Sequence, residues 1–177
     1  KIVREKLGPS LFSEEGGPFA KGLIQTLIDS KESLSVAESC TGGLIGHLIT
    51  EVPGSSQVFN LGVTTYSNES KIKLLGVKEE TLSKHGAVSE ATVIEMADGI
   101  RKLSQTTYGL SVSGIAGPEG GTQDKPVGTI FIALSKEGKT EAKKLSLSFD
   151  REKNKILSAY CALDLLRRRH HYSKEKS

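Results

Sequence analysis

Apolar residues recur along this chain with two alternating periods, and the alternation predicts helices and strands in turn. At Phe19, Leu23, Ile24, Leu27 and Ile28 the spacing is helical, with Pro18 suited to a first turn. Residues 34–36 form a short β-like run. Leu44, Ile45, Leu48, Ile49 and Val52 then return to helical spacing, from Gly42 to about Val52, and Pro53-Gly54-Ser55-Ser56 ends that helix. A strand is expected over residues 57–66, through Val58, Leu61, Val63 and Thr65. Ser67 or Asn68 caps a short helix carrying Lys71, Ile72, Leu74 and Leu75, which Gly76 stops. Ser89 caps a longer one to about Leu103, with Val93, Met96, Ala97 and Ile100 on one face. Residues 108–113 read as a buried strand. Residues 127–135 and 140–149 read as an antiparallel hairpin joined by Lys136-Glu137-Gly138-Lys139. A last helix starts near Asp150 and ends in Arg167, Arg168 and Arg169. Residues 1–17 hold Gly8-Pro9-Ser10 and Gly16-Gly17 without sustained periodicity, and are expected to be a linker.

This order predicts an α/β domain over residues 18–169, followed by a tail over 170–177. The expected architecture is a three-layer α/β/α sandwich with a mixed, mostly parallel sheet, the late hairpin supplying the antiparallel part. Ligands of open sheets gather outside the carboxyl ends of strands. Three loops qualify here: residues 39–43, 66–71 and 114–121.

Composition narrows the class. A chain of 177 residues, 36% hydrophobic and 25% charged, fits one domain with a real core. It has no apolar run near the ~18 residues of a transmembrane helix and no visible signal peptide, so no membrane partner is expected. Cys40 and Cys161, the only two cysteines, form neither a disulfide framework nor a metal-type spacing. A reducing, cytoplasmic compartment and the absence of a metal are the expectations. The net charge of +3 does not by itself call for nucleic acid, and Arg167-Arg168-Arg169-His170-His171 reads as a solvated helix end that suits the macrodipole. The first residue is Lys rather than Met, so a start inside a longer protein is expected.

Chemistry concentrates in Ala37-Glu38-Ser39-Cys40-Thr41-Gly42-Gly43, a turn from strand to helix. Three hydroxyl or thiol groups in a row, two glycines and the free amides of a helix start make an anion-friendly place for a nucleophile. The same residues would also serve as an ordinary capped turn. Competing motifs are absent: there is no G-x-G-x-x-G, no glycine loop ending in Gly-Lys-Ser/Thr and no G-x-S-x-G, and His47, His85, His170 and His171 match no catalytic or metal spacing. What remains beside Ser39 for acid-base work is Tyr66 and Lys71, which suggests a Ser-Lys hydrolase with a tyrosine helper. Only about one lysine in 2,500 is neutral at pH 7 with an ordinary pKa, so burial would have to desolvate Lys71. Spacing alone does not separate that dyad from the commoner case of an exposed helical lysine with Tyr66 as core filler. Cys40 stays open as a thiol nucleophile.

Six stretches occur in an order that carries a resemblance: Ala-Glu-Ser-Cys-Thr-Gly-Gly at 37–43, Pro-Gly-Ser-Ser at 53–56, Thr-Tyr-Ser-Asn-Glu-Ser-Lys at 65–71, His-Gly-Ala-Val-Ser-Glu at 85–90, Ser-Gly-Ile-Ala-Gly-Pro at 113–118 and Lys-Pro-Val-Gly-Thr at 125–129. Over roughly residues 20–168 the chain resembles the C-terminal domain of the competence/damage-inducible CinA proteins, also found alone as PncC-type nicotinamide mononucleotide deamidase. The resemblance implies hydrolysis of the carboxamide of nicotinamide mononucleotide, giving nicotinic acid mononucleotide and ammonia in pyridine nucleotide salvage. It makes Ser39 the nucleophile, Lys71 its base and Tyr66 a hydrogen-bonding partner that holds or relays the proton. It implies substrate or oxyanion contacts at Cys40, Thr41, Gly42, Gly43, Gly114, Ile115, Ala116 and Gly117, and substrate contacts at Ser55 and Ser56. It also implies that Arg151 contacts the substrate phosphate. No cofactor, a small nucleotide substrate and a homodimer or higher homo-oligomer are expected. The alternative is a non-catalytic module that binds nucleotides or partners DNA-processing proteins. Residues 1–17 are similar to the segment that follows an N-terminal domain in longer members, and residues 170–177 depart from the family core.

Overall fold

In the computed structural model, which describes residues 19–174 and the side chains of residues 19–170, the helical spacing at the amino end folds as α1, Ala20–Ser30. It buries Ala20, Leu23, Ile24 and Leu27 and stops at Lys31, which takes a left-handed conformation. β1, Leu34–Glu38, follows with all five residues buried, as a central strand requires. After α2, Leu44–Thr50, and a single 3-10 turn, Ser55–Gln57, comes β2, Phe59–Thr64. α3, Asn68–Leu75, is capped by the Ser67 hydroxyl, which accepts from the Ser70 amide, and is stopped by Gly76 at φ 67°. α4, Glu79–His85, precedes α5, Glu90–Ser104, whose cap is Ser89 accepting from the Thr92 amide. The remaining elements are β3 (Tyr108–Gly114), β4 (Thr129–Lys136), β5 (Lys139–Ser146) and α6 (Arg151–Lys174).

The five strands lie in the order β2-β1-β3-β4-β5. β1 pairs in parallel with β2 and β3, whereas β4 pairs antiparallel with both β3 and β5. Four strands therefore point one way and β4 alone opposes them. One face packs on α1, α2 and α6 through Leu34, Val36, Leu110 and Val112. The other face packs on α3, α4 and α5, where Ala37 meets Leu75, Leu82, Met96 and Ile100. The expected α/β/α sandwich with a mixed sheet is the observed fold. Two glycines let α5 come close. A Cβ on Gly109 of β3 would stand 2.2 Å from the Ala97 carbonyl oxygen, and one on Gly99 would stand 1.9 Å from that of Leu75.

Several boundaries differ from the sequence reading. α2 is shorter than expected at both ends, Gln57 belongs to the 3-10 turn rather than to β2, which starts at Phe59, and β5 ends at Ser146. The hairpin turns on two residues, Glu137 and Gly138, because Lys136 and Lys139 are themselves paired. α4 was not foreseen: it is seven residues long and buries only Leu82, too little to set a period. The basic helix end is not solvated throughout. α6 continues through the boundary drawn at residue 169, with Arg167 and His170 only 7% and 3% exposed. They continue the buried stripe of Ala159, Ala162, Leu163 and Leu166. His170 Nε2 stands 2.9 Å from both Ser30 Oγ and a Glu32 carboxylate oxygen, and Arg167 pairs with Asp164 one turn back. The linker expected over residues 1–17 lies outside the described residues, as do residues 175–177. No helix among the described residues is long and apolar enough to cross a membrane.

Candidate active site

The parallel ladders bring three loops to one edge of the sheet. Beyond the last pairs of β1, the Ser39 amide donates to the Val112 carbonyl at 3.0 Å and the Thr65 amide donates to the Glu38 carbonyl at 2.8 Å. The turn at 39–43, the segment 65–71 and the loop at 114–117 thus leave adjacent strands side by side, as the topology predicts. Ser39 is 9% exposed. Lys71, from the first turn of α3, is 1% exposed, and its Nζ lies 3.1 Å from Ser39 Oγ and 2.7 Å from the Thr65 carbonyl. A lysine in this place is no solvated helical lysine. Burial lowers its pKa below the ordinary 10.5, with the Cys40 thiol pulling weakly the other way.

Cys40 has the opposite fate. Burial pushes its thiol up to about 12, with the Glu38 charge adding to the rise and its own amide, Lys71 and Arg151 opposing it. At neutral pH it is a buried thiol, not a thiolate.

Glu38 is the functional residue the sequence reading missed. It is 2% exposed, and its carboxylate accepts from the amides of Gly43 (3.0 Å), Ile45 (3.1 Å) and Gly46 (2.9 Å). The start of α2 is therefore already occupied by an anion, the one the chain supplies itself. This corrects the expectation that Gly42 and Gly43 offer free amides, since the Gly42 amide also donates, to the Ser39 carbonyl at 3.1 Å. Their role is conformational: φ is 65° at Gly42 and 97° at Gly43, values that suit glycine. The amides of Cys40 and Thr41 have no backbone acceptor among the described residues, that of Cys40 leaning only on its own thiol, and Thr41 Oγ1 is buried without a partner. In the neighbouring loop the Ile115 amide is spent on the Thr129 carbonyl. Gly42, Gly43 and Ile115 are thus engaged, whereas the amides of Ala116 and Gly117, like those of Cys40 and Thr41, are not. The signal for Glu38 was a lone carboxylate closing an apolar strand just before a helix. Glu38→Ala should destabilise the fold by about 3–5 kcal/mol, because it removes three charge-assisted bonds and orphans buried amides. Urea unfolding measures this, and a midpoint equal to wild type would show that the carboxylate does not hold the turn.

Tyr66 is brought to the site's mouth but not to Lys71. It is 64% exposed, and its hydroxyl accepts from Arg151 Nη2 at 3.2 Å. The place beside Lys71 Nζ belongs instead to the carbonyl of buried Thr65, so Tyr66 is neither core filler nor the expected partner of the lysine. Arg151 also donates through Nη1 to the Gly117 carbonyl at 2.6 Å, tying the 114–117 loop to α6. Asn154, fully buried and unforeseen, ties the same loop: its Nδ2 donates to the carbonyls of Ala116 (3.1 Å) and Phe149 (2.8 Å). Ser55 and Ser56 stand elsewhere. Their 3-10 turn leads into Val58, whose carbonyl accepts from Leu34 at the amino end of β1, roughly 16 Å along the strand from Ser39. They are corrected from substrate contacts to a local turn. Next to Arg151, a groove of about 420 Å³ is lined by Leu44, Glu152, Lys155 and Ile156.

The family model described as CinA C-terminal domain matches residues 17–170. A CinA-like protein of Desulfosudis oleivorans is 48% identical over 168 residues, covering 94% of this chain and 41% of that protein. A putative competence-damage inducible protein of Acetivibrio thermocellus is 46% identical over 166 residues, covering 94% of this chain and 40% of that protein. The chain thus spans about two fifths of the length of these relatives. The crystal structure of the competence/damage inducible protein CihA from Agrobacterium tumefaciens superposes with a TM-score of 0.82 at 38% identity, covering 83% of this chain and 90% of that one. By motif order, fold and family match, the chain belongs to the CinA C-terminal domain family.

Proposed function

We propose that this domain is a serine amidohydrolase that cleaves the carboxamide of nicotinamide mononucleotide, releasing nicotinic acid mononucleotide and ammonia. The observation that carries the reading is the Lys71 Nζ, 1% exposed and 3.1 Å from Ser39 Oγ. Burial makes the neutral form of this amine accessible, and a neutral amine can take a serine proton. One N–H of that amine donates to the Thr65 carbonyl, which holds Nζ beside Ser39 Oγ.

In this reading Ser39 Oγ attacks the amide carbon while its proton passes to Lys71. The tetrahedral intermediate collapses as Lys71 returns that proton to the departing nitrogen, so ammonia leaves and an ester remains on Ser39. Water, deprotonated by Lys71, opens the ester to the acid and restores the serine. The amides of Cys40 and Thr41 are the donors nearest in sequence to the nucleophile and face no competing backbone acceptor, which makes them the candidate oxyanion hole; losing one such donor typically costs ~10²–10³ in rate. The raised pKa of Cys40 speaks against the thiol alternative. The test is ammonia release by the purified chain from nicotinamide mononucleotide, nicotinamide riboside and glutamine side by side. Fast release from the mononucleotide, slow release from the riboside and none from glutamine are expected, and release from none would overturn the reading.

Arg151 reads the phosphate in this account. It stands at the start of α6, anchored through Tyr66 and Gly117 with guanidinium protons to spare. Arg151→Ala should lower kcat/KM for the mononucleotide by ~10–100-fold and change that for the riboside little. An unchanged ratio of the two specificity constants would remove Arg151 from this role.

A further inference from the structure

Lys155 stands one helical turn beyond Arg151 on α6, and its Nζ lies 3.8 Å from where a Cβ on Gly42 would be. Its ammonium therefore reaches the same turn that carries Ser39. The two cations line one groove with Leu44, Glu152 and Ile156, but their commitments differ. Arg151 gives one arm to the Gly117 carbonyl and the other to the Tyr66 hydroxyl. Lys155, half-buried, has no hydrogen bond or ion pair to any described residue. Most carboxylates nearby are engaged: Asp150 pairs with Lys153, and Glu38 is held by three amides of α2. Glu152, on the groove's rim, is exposed. The start of α6 does not itself invite an anion, since Asp150 already accepts from the Lys153 amide. A partly desolvated cation without a partner is an unfavourable arrangement that an anionic ligand would relieve.

We propose that Lys155 is the second cation of a phosphomonoester site, and that it reads the second negative charge of the phosphate while Arg151 holds the group in place. The inference rests on the phosphorylated-substrate reading above and adds to it a preference for a terminal phosphate dianion over a singly charged phosphodiester. A single guanidinium would hold either charge state. The dianion gains from a second cation that has no ion-pair partner among the described residues.

The test compares nicotinamide mononucleotide with its phosphate methyl ester, which carries one charge less, as substrates of wild type, Lys155→Met, Lys155→Arg and Arg151→Ala. Lys155→Met should lower kcat/KM for the mononucleotide about 10- to 30-fold, chiefly through KM, and that for the methyl ester clearly less. Lys155→Arg should retain most of the preference, and Arg151→Ala should weaken both substrates. Equal loss on both substrates in Lys155→Met, or no loss on either, would overturn the proposal. A calorimetric titration with ribose 5-phosphate separates this site from the chemistry. Wild type should bind it about tenfold more tightly than Lys155→Met, whatever either protein hydrolyses. Equal affinities, or no saturable binding to wild type, would remove Lys155 from a phosphate site. Absence of ammonia release alongside Lys155-dependent binding would sink the deamidase reading and leave the phosphate site standing.

Discussion

Ser39→Ala should abolish ammonia release from nicotinamide mononucleotide, lowering turnover by ~10⁴-fold or more, in a protein that remains folded. The substitution removes one oxygen whose hydrogen bond is to Lys71 Nζ, and that amine keeps its second partner, the Thr65 carbonyl. No backbone bond of the turn depends on the hydroxyl, because the Ser39 amide and carbonyl are engaged with Val112 and Gly42. Cys40→Ala should retain most of the activity. Its thiol, 6% exposed and pushed up to about 12 by burial, stays protonated at neutral pH and touches the chemistry only through its amide. Ammonia assays on both variants, with thermal melts to certify folding, measure this. An active Ser39→Ala and an inactive Cys40→Ala would reverse the assignment of the nucleophile.

Lys71→Met should be inactive yet more stable than wild type, and the pH dependence of the difference identifies the cause. Burial holds the folded pKa of Lys71 below the ordinary 10.5 that it regains on unfolding. Between those two values the unfolded chain binds a proton that the folded chain does not, so the lysine's contribution to stability rises with pH across that window. Below it, the folded protein bears the whole cost of a buried ammonium; above 10.5, where both states are neutral, that cost is gone. The stability excess of Lys71→Met should therefore be largest at acid pH and fade as pH rises through the window. Activity of the wild type should rise through the same lowered pKa, since only the neutral amine accepts the serine proton. Urea unfolding of the two proteins over a pH series reads the first, and the pH–rate profile reads the second. A Lys71→Met variant less stable than wild type at acid pH would mean that the ammonium is well satisfied where it sits.

What was legible in the sequence was what short-range pattern determines. α5 announced itself through its Ser89 cap and the spacing of Val93, Met96, Ala97 and Ile100, all of them buried. Ser39 and Lys71 were nameable as a pair, but their 3.1 Å contact depends on the β1–β2 ladder and the Ser67 cap of α3, which no spacing encodes. Long-range partners account for the rest. His170 looked like part of a polar tail because its acceptors, Ser30 and Glu32, belong to a segment 140 residues earlier. The resemblance made Tyr66 a hydrogen-bonding partner beside Ser39 and Lys71, whereas its hydroxyl meets Arg151 from the far end of the chain. Ser55 and Ser56 sat between motifs of the site yet precede β2, so the strand's own length carries them to the opposite edge. Glu38 was hidden by its place in a motif whose hydroxyls drew the chemistry, although a buried carboxylate at the end of an apolar strand needs donors and α2 supplies three.

The central claim is a covalent ester on Ser39 formed with the help of Lys71, and the most direct measurement is mass mapping of the protein quenched in the first turnovers with nicotinamide mononucleotide. The account predicts an acyl group on Ser39 in wild type and in Cys40→Ala, and none in Ser39→Ala or Lys71→Met. Ammonia released in a burst with Ser39 unmodified, or an acyl group on Cys40, would contradict it.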